Sequence, residues 1–149
     1  MSELKLCEDR LAGLIANLTP PQRRKIAFEV AKRLRTSQQQ RIKRQQTPDG
    51  MPYSARKRQT ARSKNGRVRR AMFIKLSTNK FMDAAGTPNA ALIAFTTGVR
   101  RMVRVHQYGL MDRPHPKGKL VKYDERPLLG LSPADKHIVE EVMTAFLTI

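Results

Sequence analysis

Residues 41–70 limit what this chain can fold into more than any other stretch. Eleven Lys or Arg stand there against a single acid, Asp49. The apolar residues are too sparse to repeat along one face of a helix or a strand. Such a stretch builds no core of its own. The rest of the chain must supply the core and carry this one as a charged loop or arm. A long helical pattern precedes it, and segments with sheet character follow.

At 149 residues the chain fits one domain, long enough to bury roughly 70% of its unfolded surface. The formal charge of +18 opposes compaction, and partners that relieve such repulsion are nucleic acid, an anionic surface or an acidic protein. The only cysteine, Cys7, excludes an intramolecular disulfide and a multi-cysteine zinc cage, which suits a reducing compartment. Beside Leu4, Leu11 and Leu14 it reads as a small buried hydrophobe. The apolar runs, such as residues 90–95, fall far short of the roughly 20 residues that span a bilayer. Glu3, Glu8 and Asp9 stand where a signal peptide would carry basic residues and then an apolar run. The expectation is a protein made and kept in the cytosol unless it joins a particle.

Leu4, Cys7, Leu11, Leu14 and Leu18 step by three and four, with Ile15 widening the stripe, so a first helix is expected. Thr19-Pro20-Pro21-Gln22 then has the form of a capping box with proline at the first helical position. The second helix buries Ala27, Val30, Ala31 and Leu34, with Ile26 or Phe28 at the edges. Past Leu34 the stripe weakens through Thr36-Ser37-Gln38-Gln39-Gln40 and returns at Ile42. A distal half that is polar all round is solvated, frayed or bridging to a neighbour. Thr47-Pro48-Asp49-Gly50 ends it in a turn.

Met72, Phe73 and Leu76 within residues 68–76 fit a short helix, with a strand as the alternative. Residues 81–85 and 90–97 flank Gly86-Thr87-Pro88-Asn89, the pattern of two antiparallel strands. The apolar run Leu92-Ile93-Ala94-Phe95 reads as a central strand covered on both faces. Val99, Met102, Val103 and His106 define a helix closed by Gly109. A loop over residues 114–118, a strand over 120–123 and an extended Arg126-Pro127-Leu128-Leu129-Gly130 follow. Ser132-Pro133-Ala134-Asp135 opens a last helix with Ile138, Val139, Val142, Phe146 and Leu147 inward and Glu140 and Glu141 outward. The class is α+β: an N-terminal helical pair and a C-terminal helix around a small, mostly antiparallel sheet, with a long basic loop or arm.

Catalytic patterns are absent from the sequence. His106, His115 and His137 have no shared helical spacing and read as structural. No nucleophile elbow, P-loop, dinucleotide fingerprint or zinc-protease motif occurs. Asp124-Glu125 and Glu140-Glu141 are adjacent pairs whose members point apart. The chain therefore reads as a non-enzyme without a cofactor. Arg56, Lys57, Arg58, Arg62, Lys64, Arg67, Arg69 and Arg70 are suited to neutralising phosphates or an acidic partner, in a salt-sensitive and sequence-indifferent way. Tyr53 is the only aromatic residue in the stretch, so stacking on bases is poorly supplied. A sequence-indifferent nucleic-acid binder acting alone is one reading. A structural protein is the other.

Three separated stretches favour the second. They are Arg41-Ile42-x-Arg44-Gln45-Gln46-x-Pro48-Asp49-Gly50-x-Pro52, Val105-His106-Gln107-Tyr108-Gly109-Leu110-x-Asp112-Arg113, and Arg126-Pro127-Leu128-Leu129-Gly130 leading into Ser132. Together and in this order, across nearly the whole chain, they resemble the phage virion morphogenesis family of contractile-tailed temperate phages. The resemblance implies one tail-completion domain over residues 1–149, with a helical part over 1–46, the basic arm over 47–70 and the sheet and last helix over 71–149. It implies a non-catalytic virion protein of the tail, assembled in the host cytoplasm, that finishes the head-proximal end so that a filled capsid can join. A ring matching the tail's symmetry, with a hexamer as the natural size, and contacts with tail-end and neck proteins go with that role; a membrane does not. In such a ring the basic residues would meet either double-stranded DNA in the tail channel or acidic faces of adjacent proteins. Two further expectations are that residues 41–70 become ordered on assembly, and that residues 35–46 bridge subunits through Gln38 and Ile42.

Overall fold

The computed structural model describes residues 3–56 and 71–147, and of Leu4, Cys7 and Leu11 the backbone alone. The expected burial of Cys7 lies outside the described side chains. Helix α1 (Glu3–Ala16) is followed by the 24-residue α2 (Pro20–Lys43), about 36 Å long at 1.5 Å per residue. The capping box forms as the sequence requires. Thr19 Oγ1 accepts from the Gln22 amide at 3.4 Å, and Gln22 Oε1 accepts from the Thr19 amide at 2.8 Å, satisfying two amides that the first turn would otherwise leave unpaired.

Ile26, Val30, Ala31 and Leu34 are buried on α2, while Phe28 is exposed. The distal half departs from expectation. Gln38, Arg41 and Ile42 are buried as deeply as the apolar residues before them, because a polar stripe continues the apolar one and meets polar partners on α4. The helix stops at Lys43, and the Gln45 backbone turns left-handed at φ 58. Residues 47–50 form the expected turn, with the Gly50 amide donating to the Thr47 carbonyl at 2.9 Å. Gln46 and Pro52 pair across it. The first part of the basic stretch, residues 41–56, therefore belongs to the body of the protein.

Strands β1 (Met82–Gly86) and β2 (Ala91–Phe95) pair antiparallel, from Met82 opposite Phe95 to Gly86 opposite Ala91. Thr87 closes the connection, its hydroxyl accepting from the amides of Asn89 and Ala90. The expected two-sided burial of β2 is corrected: Leu92 is half exposed, because the sheet has two strands and α2 covers one face of it. In the described part of residues 68–76 neither a regular helix nor a strand forms. A single 3₁₀ turn, Lys75–Ser77, follows a left-handed Phe73.

A 3₁₀ turn (Thr97–Val99) leads into α3 (Arg100–Tyr108). Strand β3 (Met111–Asp112) then pairs antiparallel with β4 (Val121–Lys122). Helix α4 (Pro133–Leu147) opens on a second reciprocal cap: the Ser132 amide donates to Asp135 Oδ2 at 2.9 Å, and the Asp135 amide donates to Ser132 Oγ at 3.1 Å. Its Val142, with Ile138, Val139 and Phe146, packs on Ile26, Val30 and Leu34 of α2. A second cluster gathers Ile42, Tyr53, Met72, Leu76, Met82, Phe95, Val103 and Leu128. Ile93 touches both and joins them into one core. The architecture is α+β. Among the described residues no helix is long and apolar enough to cross a membrane.

Candidate assembly surface

Asp135 is the centre of the polar interior. It has no exposed surface, and Arg41 beside it is 4% exposed. Arg41 Nη1 donates to Asp135 Oδ2 at 3.0 Å, Gln38 Nε2 to the same oxygen at 3.2 Å, and Ser37 Oγ donates to Oδ1. Burial alone would raise the Asp135 carboxyl. The Ser132 amide, the Ser37 and Ser132 hydroxyls and the Arg41 charge outweigh it and hold the carboxyl below its ordinary value. Arg41 Nη2 donates to the Gln38 side chain and to the carbonyls of Leu128 and Gly130, at 3.4 and 3.1 Å. This group is closed to solvent and holds elements together.

The three stretches singled out in the sequence meet around it. Gly130 lies against Pro48 so closely that a Cβ on Gly130 would fall 2.5 Å from the proline Cγ. Gln107 Oε1 accepts from the amides of Leu128 and Leu129 at 2.8 and 3.0 Å, and its Nε2 donates to the Leu129 carbonyl. Gly109 caps α3 at φ 63. Arg126 is buried and donates to the carbonyls of Ser54 and Ala55 at 2.8 and 2.9 Å. These are positioning contacts, and what they position are the two ends of the basic run. Gln45 exchanges two hydrogen bonds of 2.7 Å with the Met72 backbone. Arg56 Nη2 lies 3.5 Å from the Ala71 carbonyl. Residues 56 and 71 therefore leave the body side by side.

A groove of about 1030 Å³ opens next to that point. Aromatic rings line it: Phe73 meets His106 at 4.8 Å and His106 meets Tyr123 at 5.0 Å, with the buried Tyr53 behind them, edge-on to Phe73 at 5.8 Å. Phe73 holds φ 64 there, a left-handed conformation costing a residue with a Cβ roughly 1–2 kcal/mol; these ring contacts offset it. Burial, then the nearby charges of Arg126 and Arg56, lower the His106 pKa, so the imidazole is neutral at pH 7. Burial likewise pushes the Tyr53 hydroxyl up to about 12, against the opposing effect of Arg41. Arg56, Lys75 and Lys122 stand around the groove, and Lys122 Nζ donates to the Gly109 carbonyl.

Of the residues read from the sequence as contacts, Arg56 is exposed at the root of the run. Lys57, Arg58, Arg62, Lys64, Arg67, Arg69 and Arg70 lie outside the described residues. Gln38 and Ile42, expected at a subunit contact, face inward: Gln38 binds Asp135 and Gly130, and Ile42 is fully buried in the core. Both are buried within this chain, at 2% and 0% exposure. His115 and His137 are exposed, and His137 lies 3.6 Å from Glu140. Among the described residues no three His, Cys, Asp or Glu converge as a metal site. The sequence reading missed the joining roles of Gln107, Arg126 and Asp135. Their signal was indirect: each stands within or just beyond one of the three recognised stretches.

The described residues thus hold a closed polar knot, the two anchored ends of the basic run and an apolar groove beside them. The chain belongs to the phage virion morphogenesis family, whose model it matches over residues 2–148. It is 45% identical to tail completion protein S of Escherichia phage P2 over 148 residues, 99% of each chain. No solved structure matches it.

Proposed function

We propose that this chain is a structural component of a phage tail that completes its head-proximal end, as a ring, and so allows a filled head to join. The observation that carries the reading is the near full-length match to a tail completion protein, which leaves no part of this chain unaccounted for by the relative. It works in the virion tail, assembled in the host cytoplasm, beside other tail-end and neck proteins. A hexamer follows from matching the symmetry of a tail tube. Arg56, Lys57, Arg58, Arg62, Lys64, Arg67, Arg69 and Arg70 then face double-stranded DNA in the channel or an acidic neighbour, either of which relieves the repulsion between adjacent copies.

Electron microscopy of particles made without the protein tests this. Full-length tails unattached to filled heads are expected, and normally joined particles would overturn the reading. Particles made with those eight basic residues changed to Gln test the run separately. Lost joining is expected, whereas normal joining would remove the basic run from the mechanism and leave the tail role standing.

A further inference from the structure

Among the described residues, the contacts that hold the body together run among α2, the β1–β2 hairpin and α4, and α1 takes no substantial part in them. Leu6 and Leu14 are each 47% exposed on it, as are Glu3, Glu8 and Asp9. Among its described side chains, Ile15 of its last turn reaches the body, and with Leu18 just after it borders a small cavity with Ile26 and Val139. A 14-residue helix is marginal in water unless its apolar side is covered.

The groove offers that cover. Phe73, Phe81, Val99, Met102 and Tyr123 give it apolar walls, and Arg56, Lys75 and Lys122 give it positive edges. Helix α1 carries Glu3, Glu8 and Asp9 against Lys5 and Arg10, a net charge opposite in sign to that of the groove, where Arg56, Lys75, Lys122 and Arg126 outnumber Asp124. The α1 of the same copy is not seated there: none of its described residues lines the groove. It is rooted at the first turn of α2, whereas the groove adjoins the core cluster around Ile42 at the opposite end.

We propose that α1 of one copy lies in the groove of the next. This is a head-to-tail contact between identical chains, and it rests on the ring reading. Contacts of this kind use two different patches on each subunit and close into a ring when the rotation permits.

The experiment compares full-length wild type with two variants by sedimentation at high micromolar concentration. One carries Leu6→Asp and Leu14→Asp. The other carries Ile74→Asp and Met102→Asp, which sit at the groove. All four side chains are more than 40% exposed, so unchanged urea midpoints are expected to show both variants folded. Wild type is expected to associate, and each variant to do so about tenfold or more weakly. The decisive sample is their equimolar mixture. One variant keeps its groove and the other keeps its α1, so a heterodimer forms that neither gives alone. A wild type that associates while the groove variant does so equally well overturns this contact and leaves the ring, the groove then belonging to residues 57–70 or to another tail protein. A mixture that stays as dissociated as its components also overturns it. A monomeric wild type removes both the contact and a self-assembled ring.

Discussion

Asp135 accepts hydrogen bonds from Arg41, Gln38, Ser37 and the Ser132 amide, so a single carboxylate ties the distal half of α2 to the start of α4. Removing one charge of a buried pair strands the other, at a cost of about 3–5 kcal/mol. Arg41→Met is expected to lower stability by that amount in urea unfolding, and a loss below about 1 kcal/mol would show the pair to be dispensable. The pH dependence follows from the lowered carboxyl. A depressed native pKa contributes stability that is complete above the unfolded value of 3.8 and is lost as pH falls through the native value. Wild type should therefore lose stability on acidification below pH 3.8, and Asp135→Asn should flatten that loss.

The elements were readable wherever local chemistry decides them. Both capping boxes, the β1–β2 hairpin and the Gly109 cap form at the residues that signal them, because cap and turn chemistry acts over three or four residues. Gly109→Ala tests the strongest of these signals. It places a Cβ at φ 63 and 2.9 Å from the Glu125 amide nitrogen, so a loss of about 1–2 kcal/mol or more is expected. Gly98→Ala, with nothing within 4 Å of the added atom, should be nearly neutral in the same urea titration. What the sequence concealed was long-range. Gln38 and Arg41 continue the stripe of Val30, Ala31 and Leu34 at helical spacing, yet this half of the helix read as solvated, frayed or bridging to a neighbour, because their partner, Asp135, lies 94 positions beyond Arg41. The two-residue strand β3 is too short to leave a periodic signature. Leu92 looked buried because a run of apolar residues does not reveal how many strands a sheet has. The groove was invisible for a related reason: its walls come from five separate stretches of chain.

At the scale of the whole molecule, the formal charge of +18 is handled unevenly. Arg41 and Arg126 are buried against carboxylates and carbonyls, and a dense basic run is left between residues 56 and 71. Replacing residues 57–70 with a Gly/Ser linker of equal length should leave the thermal midpoint within a few degrees of wild type. A large drop would show that the run is part of the core. The contacts of Gln45 with Met72 and of Arg56 with Ala71 already bring the two ends together, and each doubling of a closed loop costs only about 0.6 kcal/mol. The clasp makes the span behave as a cassette. A span pinned at both ends in this way can change in length at little cost to the body that carries it.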